Sequence, residues 1–383
     1  MVLVTSSVTC VRNPETRVKT VNQYTLGEEV GRGTYCKVRW ARDGAGRCLA
    51  VKAFSKTVLE RQFVSYFDED GPATVPLGSR IEEERRILGR ISHKHICALE
   101  EVIDDPGFET LYLVYEGLRG GQLMRWNPEC NAYHVRSDPL DVRQQWCEAV
   151  RCGDTGAGEE IATYQEPVAR HLLRQLLQAT AYLHEQGVVH KDLKPDNILL
   201  SLPVPTADRR FVRLLSLACW PNVPPPREVG PALDQPAAAE PAGLPSDDGD
   251  LSELMARSGF LLKVSDFNTA VERPQPDCRI YDAEGTHFFT PPECFAGHSG
   301  GILGKPRDVW SVGCVLFTML FGRTPYWAEV NLALQILIMQ DAPFDVPAGV
   351  ISQQAEELIR GLTAREPPER LTAAQALGHS WLS

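Results

Sequence analysis

His190-Lys191-Asp192-Leu193-Lys194-Pro195-Asp196-Asn197 sets two lysines, two aspartates and an asparagine within eight residues. Working outward, Asp266-Phe267-Asn268 follows it, while Gly31-Arg-Gly33-Thr-Tyr-Cys36-Lys-Val38, Leu49-Ala50-Val-Lys52 and Glu84 precede it in that order. Alone, the glycine segment serves a plain hairpin turn as readily as a phosphate cradle, because glycines let a backbone come close to phosphate oxygens and offer bare N–H groups. The order and spacing of the five segments carry information that no single one does.

The chain has 383 residues, 43% apolar and 23% charged, which is ordinary globular usage and long enough for a sizeable core. Thirty-nine basic residues against 50 acidic ones leave a net charge of −11, so nucleic acid is not an expected partner. The longest apolar run, around Val309 to Gly322, is interrupted by Ser311 and Thr318 and is shorter than the roughly 20 residues of a membrane span. Residues Met1 to Cys10 show neither a secretory nor a myristoylation signal, which suggests a cytoplasmic protein. The eleven cysteines, with only Cys147 and Cys152 close together, read as reduced thiols.

Extended segments are expected over Tyr24 to Phe54, Ala98 to Ile103 and Thr110 to Tyr115, with one helix near Arg80 to Ile91. Past Gly120-Gly121 the pattern turns helical: Glu166 to Glu185, Asp308 to Phe321, Asn331 to Met339, Gln353 to Leu362 and Thr372 to Leu377. Two stretches fit neither pattern. Residues 127–164 mix cysteine, glycine and charge, and 201–258 carry ten prolines and the acidic run Asp247-Asp248-Gly249-Asp250. Both are read as surface insertions, the second disordered; without them the span 24–382 holds 263 residues, a fitting size for one two-lobed unit.

In sequence order these segments resemble the signature set of protein kinases, over nearly the whole chain apart from the two insertions. The resemblance implies an α+β, bilobal fold: an N-terminal extension at 1–21, a small antiparallel-sheet lobe with one main helix and a hinge at 22–118, and a larger, mainly helical lobe at 119–382. It implies ATP and Mg2+ as cofactors. Lys52 would contact the α- and β-phosphates and Glu84, chosen by register over Glu82 and Glu83, would hold that lysine. Asp192 would orient the substrate hydroxyl and accept its proton, Lys194 would face the transferred phosphoryl group, and Asn197 with Asp266 would hold the metal. Gly31 and Gly33 would cover the phosphates; Val38, Ala50 and Leu199 would sandwich adenine; Tyr115 with Glu116 to Leu118 would form the hinge. Glu293 would pair with Arg370, and Asp308 would brace the catalytic loop. Lys194 with Asp196-Asn197 is similar to the serine/threonine branch, so protein Ser or Thr hydroxyls are the implied acceptors.

Val102-Ile-Asp-Asp-Pro106, Gly120-Gly-Gln-Leu-Met124 and an insertion at Ser55 to Ser79 resemble the calcium/calmodulin-dependent protein kinase kinase group, which activates other kinases, here possible targets being activation loops of AMP-activated-type kinases. Another kinase of the wider calmodulin-kinase-like branch is the competing assignment. Gln122 and Thr318 stand where arginine-directed kinases place carboxylates, which predicts weak demand for basic residues before the target site. Nothing after Trp381 leaves room for a calmodulin-binding tail, so direct calmodulin control through one is not expected. Three departures stand out. Asn268 replaces a glycine at a position expected to need unusual backbone angles; the alternative reading is a pseudokinase scaffold locked by that residue. Cys36 replaces the third loop glycine, as a tolerated small residue or as an oxidisable thiol. Lys191 replaces an arginine, and Asp282 with Glu284 lie near the usual phosphosite, which predicts carboxylates in place of an activating phosphate.

Overall fold

Buried side chains alternate with exposed ones at the start of Tyr24–Arg32 and with half-buried ones along Cys48–Ser55, the period of strands with one face toward a core. The computed structural model describes residues 2–68, 70–128, 131–135, 153–154, 160–161, 163–201, 261–273, 278–296, 300–340, 346–347 and 349–383. Strands β1 (Leu3–Thr5), β2 (Cys10–Arg12), β3 (Lys19–Val21), β4 (Tyr24–Arg32), β5 (Cys36–Arg42) and β6 (Cys48–Ser55) come first in the chain. Next come α1 (Lys56–Arg61), β7 (Phe63–Asp68), β8 (Gly71–Pro76), α2 (Leu77–Arg90), β9 (Leu99–Ile103) and β10 (Thr110–Glu116). One eight-stranded sheet runs β1-β9-β10-β6-β5-β4-β3-β2. Its pairs are antiparallel except β1 with β9, and β7 and β8 form a hairpin of their own.

The extension at 1–21 therefore supplies strands to both edges of the sheet. Buried Glu101 ties it down, accepting hydrogen bonds from Thr5 Oγ1 (2.5 Å), Gln23 Nε2 (2.8 Å) and Tyr24 Oη (2.5 Å). These strands went unread in the sequence because three residues are too few for a period to show. The insertion at Ser55 to Ser79 holds α1 and the β7–β8 hairpin and leads straight into α2. That helix buries Ile81, Glu84, Ile87 and Leu88, of which only Glu84 is polar.

The second lobe is helical, with short strand pairs where the chain turns back. Strands β11 (Arg125–Asn127), β12 (Ala132–His134), β13 (Gly153–Asp154) and β14 (Glu160–Ile161) fall across the 127–164 stretch. Ala132, Tyr133 and Tyr164 are buried there, so the ends of that stretch pack into the lobe. Helix α3 (Glu166–Glu185) follows, then β15 (Val188–Val189), β16 (Ile198–Ser201), β17 (Leu261–Val264), β18 (Val271–Glu272), β19 (Arg279–Ile280) and β20 (Ile302–Leu303). Helices α4 (Gly304–Phe321), α5 (Asn331–Met339), α6 (Gln353–Leu362) and α7 (Ala373–Leu377) complete the chain.

Val168, Leu172, Leu173, Leu176, Leu177 and Leu183 of α3 are fully buried in the lobe's core, where α3 packs against α4, α7 and β17, each burial stabilising the lobe by roughly 1.5–3 kcal/mol. Helix α4 is buried from Arg307 through Leu320, so it forms the centre of the lobe, and it ends at Gly322, whose φ of 68° is the left-handed cap that stops a helix. All but the first residue of the proline-rich stretch lies outside the described residues. It enters at a place that explains its tolerance: Ser201 and Leu261 are opposite partners at the ends of β16 and β17. A chain inserted there leaves and re-enters at one point, and the closure cost of a loop grows only slowly with its length.

Candidate active site

The turn at His190-Lys191 needs an unusual backbone, and Lys191 has a φ of 68°. A fully buried carboxylate holds it: Asp308 on α4 accepts from the backbone N–H of His190 (2.9 Å) and of Lys191 (3.0 Å), and lies 3.1 Å from His184 Nε2. Burial pushes the Asp308 carboxyl up, but the His184 contact and these donors outweigh it and keep the acid below the ordinary carboxylate value.

Asp192 follows, with both oxygens engaged. Oδ1 accepts from Thr286 N (2.9 Å) and Thr286 Oγ1 (2.8 Å), and Oδ2 accepts from Asn197 Nδ2 and Lys194 Nζ, each at 2.9 Å. Lys194 Nζ also donates to Thr286 Oγ1 at 2.7 Å. Burial opposes ionisation of Asp192, yet Lys194 and these hydrogen bonds leave its pKa lowered. From the sequence Thr286 reads only as part of the segment running to Glu293, not as a partner of Asp192, because a contact across 94 positions leaves no trace in local spacing. Its placement depends on Gly285, where φ is 121° and an added Cβ would lie 2.5 Å from the Lys191 carbonyl oxygen.

Hairpin β16–β17 brings the second half of the site alongside, pairing Ile198 with Val264, and Ser265 N and Oγ both donate to Asn197 O at 2.9 Å. Asp266 takes a φ of 63° and accepts from Lys52 Nζ at 2.9 Å. Lys52, on β6 in the other lobe, also reaches Glu84 Oε1 of α2 at 3.2 Å. Of the three adjacent glutamates, Glu82 pairs with Arg85 and Glu83 with Arg86, while Glu84 is the buried one. Lys52 lowers the Asp266 carboxyl against its burial. Burial works against the Lys52 charge, but the carboxylates of Glu84 and Asp266 keep its pKa well above the ordinary lysine value.

Gly31, half-buried, and Gly33, exposed, lie on the β4–β5 hairpin, with Gly33 N donating to Cys36 O at 3.0 Å. Val38, Ala50 and Leu199 are only half-buried, on β5, β6 and β16. The Glu116 carboxylate is occupied by Lys263 Nζ and Ala98 N, both at 2.7 Å, and its backbone N–H donates to Ala98 O at 3.0 Å; Leu118 is buried. Tyr115 departs from the hinge reading. Its backbone lies inside the sheet opposite Ala50, and its side chain reaches Glu84. Burial pushes the Cys36 thiol up despite nearby Lys52, which disfavours the reactive thiolate.

Asn268 is exposed and does not adopt a positive φ; the left-handed residue of this segment is Asp266. The expectation that position 268 requires a glycine-like conformation is thereby corrected. Beyond it, buried Lys191 Nζ donates to Asp282 Oδ2 (2.9 Å) and Glu284 Oε2 (2.8 Å), and Arg80 of α2 reaches Glu284 Oε1 at 2.6 Å. Arg370 grips Glu293 through two contacts, 2.7 and 2.9 Å.

The donor set fits a small hard cation beside a phosphate. Asn197 spends its Nδ2 on Asp192, which turns its amide oxygen into the acceptor left for a metal, and Asp266 supplies a carboxylate. Among the described residues no three His, Cys, Asp or Glu side chains gather into a metal cage. Two protein oxygens suffice for Mg2+, which keeps waters and takes substrate phosphates as its other ligands.

A lysine steadied by a buried glutamate, a carboxylate–amide pair and an oriented aspartate thus lie together between the sheet lobe and the helical lobe. The protein kinase domain family profile matches residues 24–208 and 251–382, and the chain belongs to that family. It is 25% identical over 366 residues to the serine/threonine-protein kinase GRIK1 of Arabidopsis thaliana, covering 95% of this chain and 68% of that protein. Against calcium/calmodulin-dependent protein kinase type 1 of Macrobrachium nipponense it is 28% identical, covering 94% and 75%. Against the calcium/calmodulin-dependent protein kinase kinase of Caenorhabditis elegans it is 24% identical, covering 95% of this chain and 53% of that protein. Among the described residues no helix is long and apolar enough to cross a membrane.

Proposed function

We propose that the protein phosphorylates Ser and Thr hydroxyls on protein substrates, and that those substrates include the activation loops of other kinases. The carrying observation is the convergence of Lys52, Glu84 and Asp266 with Asp192, Lys194 and Asn197. Bound ATP with Mg2+ supplies the phosphoryl group and neutralises the charge that its transfer develops. Lys52 would hold the α- and β-phosphates, and Asn197 with Asp266 would hold the cation. Asp192 has a depressed pKa and is therefore a weak base; it orients the acceptor hydroxyl and takes its proton late, as the new P–O bond forms. Lys194 offsets charge on the migrating group.

The names of relatives at 24–28% identity support the serine/threonine assignment and the place upstream of other kinases. Thr286 adds a physical argument, since its hydroxyl sits against both Asp192 and Lys194, in contacts that suit a small aliphatic alcohol. The test is incubation with ATP, Mg2+ and a catalytically dead AMP-activated-type kinase. Phosphate on its activation-loop threonine supports both the reaction and the substrate class. Transfer to a general substrate such as casein without it would leave a kinase and remove the cascade role.

A further inference from the structure

Glu84 is 1% exposed and its two oxygens are treated unequally. Among the described residues Oε2 has no hydrogen-bond partner, while Oε1 accepts both Lys52 Nζ, at 3.2 Å, and the Tyr115 hydroxyl, at 2.8 Å. The tyrosine thus makes the shorter contact of the two. Lys52 Nζ also lies 5.1 Å from the centre of the Tyr115 ring, within reach of a cation–π attraction. Tyr115 touches both members of the pair that the phosphate-holding lysine depends on. It does so from β10, a strand locked between β6 and β9.

We propose that Tyr115 is a positioning residue for nucleotide binding: its hydroxyl fixes the Glu84 carboxylate, and through it the α2 helix, so that Lys52 is presented to the phosphates. A buried carboxylate with one bare oxygen is costly, and the phenol offsets part of that cost with a charge-assisted hydrogen bond. By sharing Oε1 it also keeps that oxygen from belonging to Lys52 alone. The ammonium is left balanced between Glu84 at 3.2 Å and Asp266 at 2.9 Å, on the cleft side. Burial pushes the phenol well above its ordinary pKa, so it stays a donor throughout the working pH range.

The inference rests on the nucleotide-binding reading of the cleft, and its test separates the two. Affinity for the non-hydrolysable β,γ-imido analogue of ATP with Mg2+ is measured by calorimetry on the wild type, Tyr115→Phe, Glu84→Ala and the double variant. Tyr115→Phe is expected to weaken binding about three- to tenfold, less than the direct loss of a charged contact because it acts through Lys52. Its KM for ATP should rise by the same factor, with kcat and the peptide KM within about twofold. In the Glu84→Ala background the substitution should add nothing, an outcome that a merely structural role would not give. If Tyr115→Phe fails to fold, Tyr115→Met, which also lacks the hydroxyl, is read in the same way. Unchanged affinity in the single variant, or an equal loss in both backgrounds, overturns the proposal while leaving the kinase reading intact. Failure of the wild type to bind the analogue overturns both.

Discussion

Replacing Glu284 by glutamine removes a carboxylate that joins Lys191 of the His190–Asn197 loop to Arg80 of helix α2. It accepts from Lys191 at 2.8 Å and from Arg80 at 2.6 Å, and Asp282 accepts from the same lysine at 2.9 Å. The Lys191 side chain has no solvent exposure, whereas that of Glu284 is 25% exposed. Stripping a buried charge of all partners costs about 3–5 kcal/mol, but Lys191 keeps Asp282 in this variant, and the Glu284 side is partly screened. About 1–1.5 kcal/mol is therefore expected from Glu284→Gln, close to a tenfold loss in kcat/KM if it falls on the active arrangement. The double variant with Asp282→Asn leaves Lys191 with no carboxylate, and its loss should approach the full buried-charge range, well beyond the sum of the single effects. The assay is peptide phosphorylation by protein first treated with a phosphatase. Undiminished activity of the treated wild type, with graded losses in the variants, is the expected result. Loss of wild-type activity on phosphatase treatment, or full activity of the double variant, would refute the idea that these carboxylates stand in for an activating phosphate.

A peptide array should show no preference beyond about threefold for arginine two or three residues before the acceptor, since Gln122 donates to the Asp196 carbonyl and Thr318 spends its hydroxyl on Cys314 O; a strong preference contradicts this. Asn268→Gly should change turnover by less than about twofold, because the position is exposed and needs no positive φ; a large gain would support the locked-scaffold reading. Asp308 and Asp282, through their donors and against their burial, and Asp266, through Lys52, all have lowered pKa values. A depressed acid contributes stability above its unfolded pKa near 4 and loses it as pH falls through the folded value, so the thermal midpoint should hold from pH 7 to about pH 5 and drop below about pH 4. Asp308→Asn should lower the midpoint at pH 7 and flatten that acid drop; a wild type that gains stability on acidification would contradict the assignment.

Much of the helical lobe was legible because α3, α5 and α6 carry long apolar stripes whose ends coincide with those read from the sequence. Helix α4 begins at Gly304, four residues before the periodic run shows it, since its first turn carries lysine, proline and arginine. Strands β1 to β3 were illegible: they have three residues each, β1 and β2 are largely exposed, and β1 is tied in by a long-range partner, Glu101, while the six-residue strands of the β7–β8 hairpin lie in a stretch read only as an insertion. The site followed the same division. Residues within motifs, such as Asp192 and Asn197, could be read as a group, and the structure brings them to 2.9 Å. Thr286, Arg80 and the turning inward of Tyr115 could not, since each is fixed by a contact more than 30 residues away in sequence.

At the centre of the proposed function stands Asp192, serving a transfer that Lys52 and the proposed metal ligands Asn197 and Asp266 would make possible. Labelled ATP with Mg2+ and a Ser/Thr peptide mixture, given to the wild type and to Asp192→Ala, tests it most directly. The wild type should transfer label to hydroxyl side chains, and the variant should lose about 10²–10⁴-fold in rate while still binding nucleotide. Equal labelling by the two proteins, or none by the wild type at saturating ATP and Mg2+, would contradict it.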